Sequence, residues 1–319
     1  MEKPNTLQKA IRHFGDEQIC IDTVAALRWP NGPECPACGH KEHYYLKTQK
    51  RWKCKECYKQ FTVKLGTIFE DSPIPLDKWL TALWMLVNCR NGVSSYEVAR
   101  ALGITQKSAW FVLHRLRFAL QTGSIAKIGG NGVPVEVDET FIGGKARNMH
   151  KARRIRMTNI GKYTAKTVVM GMLERGGTVR TAVIPVRKKG IVEQVVRDMV
   201  APGSEVHTDE FTGYMGLSDK YVHQVVNHLE GYVDGKVHTQ GIENFWSCLK
   251  RGLGGTYISV EPFHLFRYVD EQAFRYNNRK DENGKKLTDA QRFDLALSQI
   301  AGKRLTFAEV TGKVGETAF

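Results

Sequence analysis

The sequence predicts a modular α/β protein: a small cysteine-bearing module, a helical module, and a larger domain in which strands and helices alternate. Three observations predict it. Two Cys-x2-Cys pairs, Cys35/Cys38 and Cys54/Cys57, are separated by fifteen residues. A helix, a Gly-containing turn and a second helix can be read between residues 94 and 120. From Val133 onward, short β-rich runs alternate with helical ones, the pattern of a mixed sheet flanked by helices. The expected divisions are 1–70 for N-terminal helices and the cysteine module, 71–125 for a helix-turn-helix-like module, 130–280 for the α/β domain and 281–319 for a C-terminal tail.

Composition narrows the class. The chain has 319 residues, with 47 Lys+Arg against 33 Asp+Glu and a formal net charge of +14. Hydrophobic residues at 42% exclude a wholly disordered chain. The longest strongly apolar run, Trp79 to Val87, is nine residues, less than half of the ~20 that a membrane-spanning helix needs. The start, MEKPNTLQKAIRHF, carries no apolar core or small-residue cleavage site, so no secretory signal is expected. The positive charge is concentrated. Residues 35–64 carry eight Lys/Arg and two Glu, a net of +6, and residues 145–166 carry eight Lys/Arg and no acid, a net of +8. Two local basic devices point to a polyanionic partner, because clustered Lys/Arg draws phosphate backbones.

Seven cysteines, an odd number, argue against a closed disulfide framework. Each Cys-x2-Cys places two thiolates at one tight turn, and two such pairs complete a tetrahedral S4 site that suits Zn²⁺. Such a site is structural, since four protein thiolates leave no open position for catalysis. Pro36 and Gly39 bracket the first knuckle, and Trp52 and Phe61 are expected to form a small core around the second. The module's shell of Lys47, Lys50, Arg51, Lys53, Lys55, Lys59 and Lys64 fits phosphate contact. Cys20, Cys89 and Cys248 fall in helical apolar patterns and read as small core residues.

Asp77 is expected to cap a helix with Leu80, Leu83, Trp84 and Val87 on its apolar face. Next, Ser94 or Ser95 starts a short helix, Gly103 supplies a turn and Thr105 caps a second helix. This helix-turn-helix outline puts Gln106, Lys107, Ser108 and Trp110 near the start of a candidate recognition helix that would enter a DNA groove.

In the third module PVEVDETFIGG reads as a strand, with Glu136 and Asp138 on one face because side chains alternate. Thr167–Leu173 and Thr178–Ile184 form a hairpin around Glu174-Arg-Gly-Gly, a helix follows over Ile191–Val200, and strands end near Asp209 and cover KYVHQVV. The last element, within VHTQGIENFWSCLKRGLGG, carries Ile242, Phe245, Trp246 and Leu249 on one helical stripe. At 100° per residue Glu243 and Lys250 fall within about 20° of each other beside that stripe, and Asn244 points away. Asp138, Asp209 and Glu243 thus come from distant positions. Carboxylates so arranged can hold Mg²⁺ ions about 4 Å apart for an in-line phosphoryl displacement.

The strings VEVDETFIGGK, TDEFTGY, VHTQGIENFWSCLKRGLGGTYISV and HLFRYVDEQAFRYNNR together resemble bacterial insertion-sequence transposases of the DDE type, in the group with an N-terminal zinc ribbon and an RNase H-like catalytic domain. The resemblance runs from about residue 15, through RWPNGPECPACG, to about residue 280. It implies Asp138, Asp209 and Glu243 as a catalytic triad holding Mg²⁺ or Mn²⁺, two ions in all, and a DNA contact at Lys250. Some relatives carry Asn at the third position, and Asn244 adjoins Glu243; the helix geometry favours Glu243.

The basic insertion 145–166 adds Lys145, Arg147, Lys151, Arg153, Arg154 and Arg156 as DNA contacts, with Gln106 and Lys107 in the helical module. The partners implied are the element's terminal inverted repeats and target DNA. A homo-oligomer assembled on DNA is expected, since two ends must be held together, in a bacterial cytoplasm and not at a membrane. Two rival readings are a non-catalytic DNA-binding regulator and a nuclease or resolvase of the same fold that cleaves without strand transfer. Glu136, Glu139 and Glu210 have no assigned role, and His207, His228 and His238 read as hydrogen-bonding or core residues.

Overall fold

A computed structural model describes residues 4–121, 126–144, 150–152, 155, 166–226 and 237–313. The chain divides into two compact units, Met1–Gln121 together with Asn278–Phe319, and Thr122–Asn277.

The first unit opens with α1 (Leu7–Phe14), capped by Thr6, and α2 (Glu17–Arg28), capped by Asp16, each side chain accepting a backbone N–H of the first turn. A three-stranded antiparallel sheet follows, β1 (His43–Leu46), β2 (Arg51–Cys54) and β3 (Gln60–Phe61). Trp52 and Phe61 are buried and stacked at 5.9 Å, as the sequence leads one to expect, and Trp29 meets Trp52 edge-on at 5.2 Å.

α3 (Leu76–Asn88) buries Leu80, Leu83, Trp84 and Val87, and also Trp79, Ala82 and Leu86, so it is surrounded by other helices rather than lying on a surface. Each fully buried leucine contributes roughly 1.5–3 kcal/mol before entropy is counted. One expected detail differs. Pro75 is the N-cap, and Asp77 lies within the first turn, where its charge complements the helix dipole instead of capping.

α4 (Ser95–Leu102) begins with a capping box between Ser94 and Glu97 and ends at Gly103, whose φ of 59° is left-handed. Thr105 caps α5 (Gln106–Ala119). The helix, turn and helix therefore stand where the sequence puts them. The segment read as a tail holds α9 (Asp289–Leu297) and the one-turn α10 (Phe307–Val310), numbered here after the helices of the second unit. Phe293 of α9 lies between Phe14, at 5.4 Å, and Trp84, at 5.3 Å. Lys303 donates to the carbonyls of Ala119 and Gln121 at 2.6 Å, neutralising the C-terminal end of α5. Cys20 is buried; Cys89 and Cys248, read as core residues, are only half-buried, Cys89 because it sits just past the end of α3.

The second unit is a five-stranded mixed sheet in the order β6–β5–β4–β7–β8, formed by β4 (Val135–Ile142), β5 (Thr167–Glu174), β6 (Val179–Ile184), β7 (Glu205–Thr208) and β8 (Val222–Val225). β4, β5 and β6 pair antiparallel, while β7 runs parallel to both β4 and β8. Alternation divides the core in two. Val135, Val137, Val168, Met170 and Met172 face α6 (Lys189–Met199) and the 3₁₀ segment Thr212–Asp219. Val169, Leu173 and Val179 face α7 (Gln240–Gly252) and α8 (Leu265–Asn277). All four stripe residues of α7, Ile242, Phe245, Trp246 and Leu249, are buried on that second face. Arg267 and Arg275 are buried in α8, whereas Arg279 is exposed beyond its end. Among the described residues no helix is long and apolar enough to cross a membrane.

The left-handed Gly103 gives a direct test. Gly103→Val forces a β-branched residue into that region and is expected to cost about 1–2 kcal/mol, read as a lower midpoint in thermal unfolding.

Candidate active site

Strand register brings the first two carboxylates together. In the parallel pair β4–β7, Val135 faces Val206 and Glu136 faces His207. Continuing that register by two residues sets Asp138 opposite Asp209, at the C-terminal end of β7, the edge where open α/β sheets bind ligands. Asp138, Glu139 and Asp209 each offer an oxygen within 4.8 Å of the others. Glu243 is not in this group. It lies half-buried in the first turn of α7, accepting the Thr239 hydroxyl at 3.2 Å, while Asn244 is exposed.

Asp138 is held at both oxygens. Oδ1 accepts the backbone N–H of Glu139 at 2.7 Å and Oδ2 accepts the indole N–H of Trp246 at 2.9 Å. The indole can reach because Asp138 pairs across the sheet with Gly171, where an added Cβ would sit 2.7 Å from Ile242 and Trp246. A glycine at this one position lets α7 settle on the sheet. Burial, with the neighbouring Glu139 and Asp209 charges, pushes the Asp138 carboxyl from 3.8 up to about 6. Burial also raises Glu139, against the opposing pull of Arg187.

Three groups around these carboxylates carry no recognisable sequence signal. Arg187 donates to both oxygens of Glu139, at 3.0 and 3.1 Å, and to Asp209 Oδ2 at 3.1 Å. Its guanidinium lies 3.7 Å from the centre of the Phe211 ring. Trp246 reads only as apolar in the sequence, since a helical stripe does not reveal which aromatic also donates a hydrogen bond. Arg175 reads as part of a turn, yet it pairs with Glu136 at 3.0 Å and contacts His207 and His238.

Glu136, left without a role by the sequence, is fully buried and accepts the backbone N–H of Ile242 at 2.9 Å. It thereby ties the N-terminal turn of α7 to β4 and positions the helix that carries Glu243 and Trp246. His207 and His238 hydrogen-bond within this network, matching their expected role. His228 lies outside the described residues.

The sulfur atoms of Cys35, Cys38, Cys54 and Cys57 all lie within 4.8 Å of one another, with Cys35–Cys57 and Cys38–Cys54 at 3.6 Å. A tetrahedral S4 site with Zn–S bonds near 2.3 Å has sulfur–sulfur edges of about 3.8 Å, so the four thiols fit that ion. The predicted DNA contacts fall in both units of the chain. Gln106 is half-buried and bonds Ser95 Oγ at 2.8 Å, and Lys107 lies over the Phe307 ring at 5.2 Å. Lys151 and Lys250 are exposed. Lys145, Arg147, Arg153, Arg154 and Arg156 lie outside the described residues.

Comparison with known proteins matches these parts to families. Residues 129–277 match the ISXO2-like transposase domain of the IS1595 group, and residues 15–60 match its transposase zinc-ribbon domain. An uncharacterized transposase-like protein of Haemophilus influenzae is 31% identical over 101 residues, which is 31% of this chain and 81% of that protein. The chain belongs to the IS1595 family of transposases. This transposase is also 28% identical over 258 residues to an uncharacterized protein in transposable element ISH50 of Halobacterium salinarum, covering 76% of this chain and 85% of that one. Among solved structures, a chain of the simian T-cell lymphotropic virus intasome in complex with PP2A regulatory subunit B56 gamma aligns over 67% of this chain and 74% of its own. The identity there is 12% and the TM-score 0.32, a likeness too slight to bear on the transposase.

The purified transposase is expected to contain one zinc per chain by elemental analysis, and Cys54→Ser to lose both the zinc and the folded ribbon. Asp138 sets a pH dependence. Its folded value of about 6 lies above its ordinary 3.8, so the contribution of Asp138 to the stability of the metal-free protein grows as pH falls from about 6 toward 4, read as the difference from Asp138→Asn. An ion at Asp138 would need the carboxylate ionised, so stabilisation by Mn²⁺ is expected to grow as pH rises through about 6 and to level off about a unit above it. Thermal melts with and without Mn²⁺ over roughly pH 5 to 8 check both slopes.

Proposed function

We propose that this transposase binds the terminal inverted repeats of its own insertion sequence, cleaves there to expose a 3′-OH, and joins that hydroxyl to target DNA. Asp138, Asp209 and Glu243 hold the catalytic Mg²⁺ or Mn²⁺, and Cys35, Cys38, Cys54 and Cys57 hold a structural Zn²⁺. The reading is carried by the apposition of Asp138 on β4 and Asp209 just past the end of the parallel strand β7, in a chain of a transposase family.

The chemistry assigns work to the chain's own groups. Divalent ions at such a site polarise the phosphate and lower the pKa of the attacking oxygen, which serves both hydrolysis and strand joining. Trp246 and the Glu139 N–H orient Asp138, so its remaining lone pairs point in fixed directions. The Phe211 N–H, 3.1 Å from Asp209 Oδ1, does the same for Asp209. Glu136 fixes the first turn of α7, on which Glu243 stands. Lys250, on the exposed side of that helix, meets the DNA backbone.

Residues 130–280 form the catalytic domain of this proposal, while the ribbon and the α4–α5 pair recognise the element's ends, with Gln106 and Lys107 at the start of α5. Lys145, Arg147, Lys151, Arg153, Arg154 and Arg156 hold DNA beside the site. Two ends are joined by a homo-oligomer assembled on DNA in the bacterial cytoplasm.

With Mg²⁺ and DNA carrying the element's ends, the purified transposase is expected to nick at those ends and to form joined products. Asp138→Ala, Asp209→Ala and Glu243→Ala each lower the rate by at least about three orders of magnitude. Nicking that survives Asp138→Ala together with Asp209→Ala overturns the site, and cleavage without joined products identifies a nuclease instead.

A further inference from the structure

Three carboxylates gather at the site, yet they differ in what their oxygens can still do. Asp209 keeps 28% of its side chain exposed, whereas the Glu139 side chain is fully buried. Among the described residues, each oxygen of Asp138 and Asp209 has one hydrogen-bond donor and lone pairs to spare. Both oxygens of Glu139 face the fork of Arg187 instead, in the bidentate geometry that binds a carboxylate most firmly. A magnesium-type ion keeps several waters and takes substrate oxygens, and a sealed carboxylate already forked by a guanidinium offers it no approach.

The local sequence builds this arrangement. In Asp209-Glu-Phe-Thr-Gly-Tyr, Phe211 gives its N–H to Asp209 Oδ1 and its ring to Arg187, which in turn takes Asp209 Oδ2. Gly213 leaves room for that ring, because a Cβ there would lie 2.2 Å from it. Tyr214 fills the core on the Glu139 side, where burial and the Glu139 charge push its phenol well above the ordinary value. One loop thus holds Asp209, supports Arg187 and closes off Glu139.

We propose that Arg187 is a resident counter-cation of the carboxylate site, with Glu139 as its ion-pair partner and not a metal ligand. The inference rests on the metal-site reading above. Arg187 takes the place of part of the divalent charge, holding Glu139 and Asp209 together before an ion arrives. With Arg187 present Asp138, Glu139 and Asp209 carry a net of two negative charges, to which Glu243 would add a third.

The test is Mn²⁺ titration by calorimetry on the full-length, zinc-loaded protein without DNA, with thermal melts in the absence and presence of added Mn²⁺. The double variant Glu139→Gln/Arg187→Gln removes one charge of each sign. It is expected to bind Mn²⁺ within about threefold of the unmodified protein; a loss of a hundredfold or more, like that of Asp209→Ala, makes Glu139 a ligand and overturns the proposal. Arg187→Gln alone takes a positive charge away from the ion. It is expected to bind Mn²⁺ up to about tenfold more tightly, and to melt lower without added Mn²⁺ with most of the deficit recovered in Mn²⁺. Unchanged or weaker binding overturns the counter-cation role. Because that variant strands a buried carboxylate, Arg187→Lys is measured beside it. Retention of the charge should keep Mn²⁺ affinity within about threefold of the unmodified protein, and a larger change in either direction counts against the proposal. Mn²⁺ binding that persists in Asp138→Ala and Asp209→Ala would instead remove the metal-site reading itself.

Discussion

Three carboxylates with oxygens within 4.8 Å of one another repel, and much of the second unit is arranged to offset that repulsion. The strand register creates the problem by bringing Asp138 and Asp209 side by side. The solutions come from elsewhere in the chain. The indole of Trp246 comes from α7, the guanidinium of Arg187 from the segment before α6, and the N–H groups of Glu139 and Phe211 from the local backbone. Burial still prevails at Asp138, whose carboxyl remains well above its ordinary value. A group held in that condition gains most from a divalent ion, so the structural tension and the proposed chemistry have one origin.

The same economy appears in α7. Its apolar stripe decides where the helix lies, Gly171 decides how close, and Glu136 decides where its first turn is pinned. Glu243 then has little freedom of position, although its carboxylate stands apart from the other three in this structure. The ribbon follows a different logic. Its sheet is too small for a substantial hydrophobic core, and the Trp29–Trp52–Phe61 cluster and the four thiols supply what the strands cannot.

Much of this architecture is legible in the sequence because it rests on local periodicity or spacing. The paired Cys-x2-Cys motifs, the Ser94 to Thr105 caps and turn, the hairpin around Glu174 and the stripe on α7 all have a near-neighbour signature. What escapes reading is long-range. Nothing near Arg187 marks it as the partner of Glu139, 48 residues earlier, and Glu136 gives no sign that its carboxylate will receive a helix N-terminus 106 residues later. Asp77 is misjudged because both capping and a place in the first turn favour an acid at nearly the same position. The stretch after residue 280 has helix signals, but its value lies in Phe293 and Lys303, whose partners stand about two hundred residues away in sequence.

The first unit is discontinuous, with the whole second unit lying between its two parts along the chain. As the polypeptide emerges from its N-terminus, Phe14 and Trp84 lack the aromatic ring that joins them, and α5 lacks the lysine at its C-terminal end. Both arrive only after the whole second unit has been synthesised. A nascent or prematurely terminated chain can therefore fold its second unit as a continuous segment while its first remains incomplete. Full assembly of the first unit is thereby reserved for chains in which the transposase domain has already been made.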